Sequence, residues 1–121
     1  MLIWPPAVRV FVHTEPTDMR RSFDRLAAMV EQFLGQDPFS GHLFVFVNRR
    51  ADRMKILFWD RSGFCLFYKR LEQGTFHLPS AAGDPLELDV TRLTLLLEGL
   101  DLSGAVQRKR YRRKPKISVT L

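Results

Sequence analysis

Hydrophobic and polar positions alternate between two rhythms along this chain, and the changes of rhythm mark its elements. Val8–His13 (VRVFVH) is short, β-branched and aromatic, which predicts a strand; Glu15, Pro16 and Thr17 turn the chain out of it. From Asp18 to Leu34 the apolar residues Phe23, Leu26, Ala27, Val30, Phe33 and Leu34 follow helical spacing and form one stripe. Asp18 is placed to cap that helix, and Gly35 to take the left-handed position after its end. A loop with Pro38 and Gly41 leads to the apolar run His42–Val47, read as a strand. The basic turn Asn48–Arg53 separates it from a second strand, Met54–Trp59. Asp60–Gly63 form a tight turn into a third, Phe64–Arg70.

Short loops between these three strands predict an antiparallel meander. With the Asp60–Gly63 turn setting the register, Trp59 faces Phe64, Leu57 faces Leu66, Lys55 faces Tyr68, and Arg53 lies near Arg70. One end of that face becomes basic and aromatic; the other stays apolar. The opposite face, with Met54, Ile56, Phe58, Cys65 and Phe67, is the one expected to receive the first helix. Glu72–Thr75 bend the chain toward Phe76–Leu78, and Pro79–Pro85 form a loop. Asp89 caps a last helix from Val90 to about Leu100, with Leu93, Leu96, Leu97 and Leu100 as its stripe. The expected fold is α+β: a central antiparallel β-meander with a helix on one face, a C-terminal helix and a basic flexible tail. The expected organisation is one domain, 1–106, followed by the tail, 107–121.

Composition supports a folded body. Of the 121 residues, 45% are apolar, and ten Phe, two Trp and two Tyr supply large core side chains. Charge is unevenly placed. Seven of the 19 basic residues fall in Arg108–Lys116, which leaves 12 against all 13 acidic residues in the body. The body is nearly neutral and the tail carries the positive balance. The single cysteine, Cys65, excludes an internal disulfide and fits a reducing compartment. No apolar run approaches the roughly 20 residues of a membrane span, and Met1–Val8 lacks the basic region of a signal peptide. A cytoplasmic location without membrane contact is expected.

Two basic features are candidate nucleic-acid contacts. The first is the arm Arg108, Lys109, Arg110, Tyr111, Arg112, Arg113, Lys114 and Lys116. Its cations can displace counterions from a phosphate backbone, and Tyr111 can stack on a base; the other reading is a solvated arm or one that meets an acidic protein. The second is the cluster Arg49, Arg50, Arg53, Lys55, Lys69 and Arg70, which folding of the meander brings closer together. It reads as a phosphate-tracking groove or as charged decoration of a sheet edge. Phe44, Phe46, Trp59, Phe64, Phe67 and Tyr68 read as core before they read as a stacking platform.

Catalysis finds little support. Asp18, Asp24, Asp52 and Asp60 each have a local explanation as cap, helix surface or turn. His13, His42 and His77 are scattered, with no metal-ligand spacing, and Cys65 sits in an apolar strand. There is no glycine-rich phosphate loop. Neither catalytic nor metal-binding residues are expected, and no cofactor.

Thr17–Val30 (TDMRRSFDRLAAMV), Asp37–Phe76 and the helix Arg92–Leu102 (RLTLLLEGLDL) together resemble the accessory protein of the IS sixty-six insertion-sequence family, the TnpB-type product of its second reading frame. The resemblance covers about residues 8–102 and rests chiefly on the DMRRSFD and DPFSGHLFVF blocks. It implies a non-catalytic role in transposition beside a DDE-type transposase encoded by the same element. The expected partners are therefore DNA, as transposon ends or non-specific duplex, and that transposase. Direct DNA binding and a protein–protein adaptor role without DNA contact both stay open, as does the oligomeric state.

Overall fold

In the computed structural model, residues 7–78 and 86–99 are described. The first structural unit is β1 (Val10–His13), α1 (Phe23–Met29) continuing into a π-helical turn (Val30–Leu34), and β2 (Leu43–Val47). The helical segment carries the chain back so that β2 lies parallel to β1, with Val10 beside Leu43 and Val12 beside Val45. β3 (Arg53–Asp60) and β4 (Gly63–Arg70) then add antiparallel strands, and β5 (Leu86–Leu88) pairs antiparallel with β1. The sheet order is β4-β3-β2-β1-β5. α2 (Val90–Leu97) follows β5.

The expected α+β class holds, with the three meander strands in place. The β3–β4 register is the predicted one: Trp59 pairs with Phe64, Leu57 with Leu66, Lys55 with Tyr68 and Arg53 with Arg70. The sheet as a whole is mixed rather than antiparallel, because β1 joins it beside β2.

Both faces of the sheet are covered. Val10, Val12, Leu43, Val45, Met54 and Ile56 pack with Leu93 and Leu96 of α2. Phe11, Phe44, Phe46 and Leu57 pack with Leu26, Met29, Val30 and Leu34 of the first helical segment. The expectation that this segment covers the Met54–Ile56–Phe58 face is therefore corrected. That face belongs to α2, and the first segment lies on the Leu57 face. Phe44 and Phe46 decide this: they are fully buried and continue the Leu57 face across β2.

Helix boundaries also shift. α1 begins at Phe23 instead of Asp18, because the Asp18 carboxylate accepts the Arg20 backbone N–H (2.9 Å) and closes a local turn. Gly35 takes the left-handed conformation (φ 61). Asp89 caps α2 by accepting the Arg92 N–H at 2.7 Å. Leu100, the boundary at Val106 and the arm Arg108–Lys116 lie outside the described residues.

Candidate nucleic-acid interface

The site begins with a turn that holds its own shape. Asn48 Oδ1 accepts the backbone N–H groups of Asp52 and Arg53, both at 3.0 Å, and Asn48 Nδ2 donates to Asp52 Oδ1 at 2.7 Å. That last bond holds the Asp52 carboxyl below its usual pKa range. Ala51 adopts a left-handed conformation (φ 58), which costs free energy for a residue with a Cβ. From outside, Leu71 N donates to Asp52 O (2.7 Å) and Phe76 N to Ala51 O (2.6 Å). Arg49 and Arg50 project from this fixed turn, exposed and without a hydrogen bond or salt bridge among the described residues.

Lys55 brings a second loop to the turn. It is only 6% exposed. Its ammonium donates to the carbonyls of Met19 (2.6 Å) and Arg21 (2.8 Å) and lies 4.8 Å from the centre of the Tyr68 ring. Thr17 N adds a bond to Val47 O at 2.8 Å. The loop between β1 and α1 is thereby fastened to the sheet beside the β2–β3 turn.

Between the two lies an open groove of about 750 Å³, bordered by Pro16–Arg21, Asn48–Arg50, Asp52, Arg53 and Tyr68. Five arginines border it: Arg20, Arg21, Arg49, Arg50 and Arg53. Two carboxylates answer them. Asp18 takes a fork from Arg20, with Nη2 at 2.7 Å from Oδ2, and its pKa falls to about 2. Asp52 is held by Asn48. Thr17 Oγ1, in the groove wall, is buried with no hydrogen-bond partner among the described residues.

The predicted sheet cluster is only partly assembled. Arg49, Arg50 and Arg53 meet at the groove, and Arg53 Nη1 makes a long 3.4 Å contact to the Tyr68 hydroxyl. Lys55 is committed to backbone carbonyls beneath it. Lys69 projects from the other face of the sheet and donates to Leu97 O at 2.7 Å. Arg70 pairs with Glu72 at 2.7 Å. Of the predicted aromatics, Phe44 and Phe46 are core, while Trp59 and Phe64 pack with Phe39 at the far end of the hairpin. Only Tyr68 borders the groove. Arg20 and Arg21 were missed, because a helix read from Asp18 turns them into an ordinary solvated face. The signal was Asp18 two residues before Arg20, the spacing of a side-chain-closed turn.

Among the described residues, no group of three or more His, Cys, Asp or Glu is placed to hold a metal ion. No helix among them is long and apolar enough to cross a membrane.

Residues 8–107 match the family model described as IS66 Orf2-like protein. The chain belongs to the IS66 Orf2-like family. It is 38% identical over 111 residues to the uncharacterized protein y4jC of Sinorhizobium fredii, covering 92% of this chain and 94% of that one. It is 43% identical over 94 residues to y4hO of the same organism, also uncharacterized, covering 78% and 82%. No solved structure matches. Membership in the IS66 Orf2-like family gives the chain an accessory role associated with transposition.

Proposed function

We propose that this accessory protein assists transposition without catalysing it, by holding nucleic acid through the phosphate backbone in the arginine groove. One observation carries the reading: Arg21, Arg49, Arg50 and Arg53 come from separate parts of the sequence and border one open hollow, with Arg20 beside them forked to Asp18. Guanidinium groups bind phosphate oxygens bidentately and at any pH of interest. The turn and loop that present them are fixed before a ligand arrives, so little ordering is needed on binding. The arm Arg108–Lys116 is proposed to add further phosphate contacts. Such contacts position a partner and read little sequence, so binding is non-specific. The expected place of action is the cytoplasm, beside the transposase.

The test is fluorescence anisotropy on a random duplex over a range of salt. Arg49→Ala with Arg50→Ala removes two contacts and should lower the slope of log affinity against log salt by about 1 to 2. Truncation after Val106 should flatten it further. Unchanged affinity and slope in both variants would remove the reading.

A second reading has its own observation. Phe39 (55% exposed), Phe33 (50%) and Phe23 (43%) are large apolar side chains open to solvent. They favour an adaptor that docks on the transposase. Absence of DNA binding at low salt, together with co-purification of the transposase, would establish it.

A further inference from the structure

We propose that the groove takes a single-stranded polynucleotide, with Tyr68 as the platform on which one base stacks; this rests on the phosphate-binding reading above. The groove does not end at Tyr68. A second hollow of about 320 Å³ adjoins it, bounded by Arg53, Tyr68, Arg70 and Glu72. Arg53 and Tyr68 border both hollows, so the tyrosine stands on the ridge between them. The two hollows differ in charge. The first sets five arginines against two carboxylates. In the second, Glu72 is paired to Arg70 at 2.7 Å and the shared Arg53 leaves one positive charge in excess, against three in the first, a less charged surface suited to a sugar and base.

Tyr68 itself is unusual for this sheet. The residue is 48% exposed, and no aromatic ring among the described residues stacks on it. Yet it is not loose. The Lys55 ammonium lies 4.8 Å from its centroid, on one face, and the Arg53 guanidinium reaches its hydroxyl. An anchored aromatic ring beside a phosphate groove is the combination that single strands use, because each unpaired base offers a face for stacking. A duplex keeps its base faces inside the helix and offers the ring no face on which to stack.

The experiment measures anisotropy of labelled dT 20-mer, U 20-mer and a random 20-base-pair duplex at one low salt concentration. It uses the full chain, Tyr68→Ala, Tyr68→Leu, Tyr68→Phe, and the double variant Arg49→Ala with Arg50→Ala. Urea midpoints check that each variant is folded, and Tyr68→Leu retains an apolar strand residue if Tyr68→Ala does not fold. Loss of the ring should weaken single-strand binding about tenfold, with duplex binding changed less than twofold and Tyr68→Phe close to the parent. Loss on the DNA strand alone, the RNA strand alone or both supports the platform and tells which backbone it serves. If the ring variants bind both single strands as the parent does, while the double arginine variant loses binding, the platform is wrong and the phosphate groove stands. If the double arginine variant binds every oligonucleotide unchanged, the reading beneath the proposal fails.

Discussion

The two ends of the β3–β4 hairpin are built from the same pair of strands and do opposite things. At the turn end, Trp59 and Phe64 face each other across the ladder, and Phe39 packs on both, with ring centroids 5.0 to 5.1 Å apart. These side chains pack on one another, with Phe39 on the outside still open to solvent. At the open end, Lys55 faces Tyr68 and Arg53 faces Arg70, and each finds a different partner. Lys55 takes two backbone carbonyls, Arg70 takes Glu72, and Arg49 and Arg50 on the adjoining turn take none among the described residues. The function of a cation here follows from its partners. A lysine whose donors are filled holds the architecture; an arginine on a rigid turn with its donors free is available to a ligand.

The sharpest way to break that distinction is Lys55→Met, which keeps the buried stem and removes the donors. Charge-assisted bonds to buried groups contribute about 1.5–3 kcal/mol each to a measured loss. A loss of about 2 kcal/mol or more in urea unfolding is expected, with weaker nucleic-acid binding because Met19–Arg21 are no longer fastened. Unchanged stability would make Lys55 an ordinary surface cation. Trp59→Ala tests the other end. It should cost about 1–2 kcal/mol through lost aromatic contacts and leave affinity for nucleic acid as it was. Arg49→Ala with Arg50→Ala should do the reverse: stability within about 0.5 kcal/mol of the parent, with the binding loss already described.

The smallest effect concerns pH. Asp18 titrates near 2 because the Arg20 fork and backbone N–H stabilise its charged form. Its folded pKa lies below the ordinary value, so its contribution is present above about pH 4 and fades as pH falls toward 2. The pair is exposed, so the change in stability is slight. The Asp18 titration midpoint, followed by its carboxyl carbon in NMR, should rise toward the ordinary carboxylate range in Arg20→Ala, stopping short of it because the backbone N–H at position 20 remains.

The sequence makes some of this readable and hides the rest for physical reasons. The β3–β4 register follows from Asp60–Gly63, since a tight turn leaves the strands one way to pair. The face given to the first helix does not, because β3 is apolar on both sides and the deciding residues, Phe44 and Phe46, sit on the neighbouring strand. β5 is three residues, Leu86–Leu88, too short for any alternation to register. At the site, Arg49, Arg50 and Arg53 are legible as a basic turn. The separation of Lys69 from them follows from strand alternation, which sets it beside Met54 on the opposite face; that of Lys55 is not legible, since it depends on the carbonyls of Met19 and Arg21, far away in the sequence. The convergence of Arg20 and Arg21 on that turn is hidden for the same reason.

The central claim is that the open, arginine-bordered end of the hairpin meets the nucleic acid. Its most direct test is the amide spectrum of isotope-labelled protein titrated with a random oligonucleotide. Besides shifts in the arm Arg108–Lys116, shifts within residues 7–99 are expected on Thr17–Arg21, Asn48–Arg53 and Tyr68, diminished by added salt. Shifts concentrated instead on Phe39, Trp59 and Phe64, with the groove amides unmoved, would contradict it.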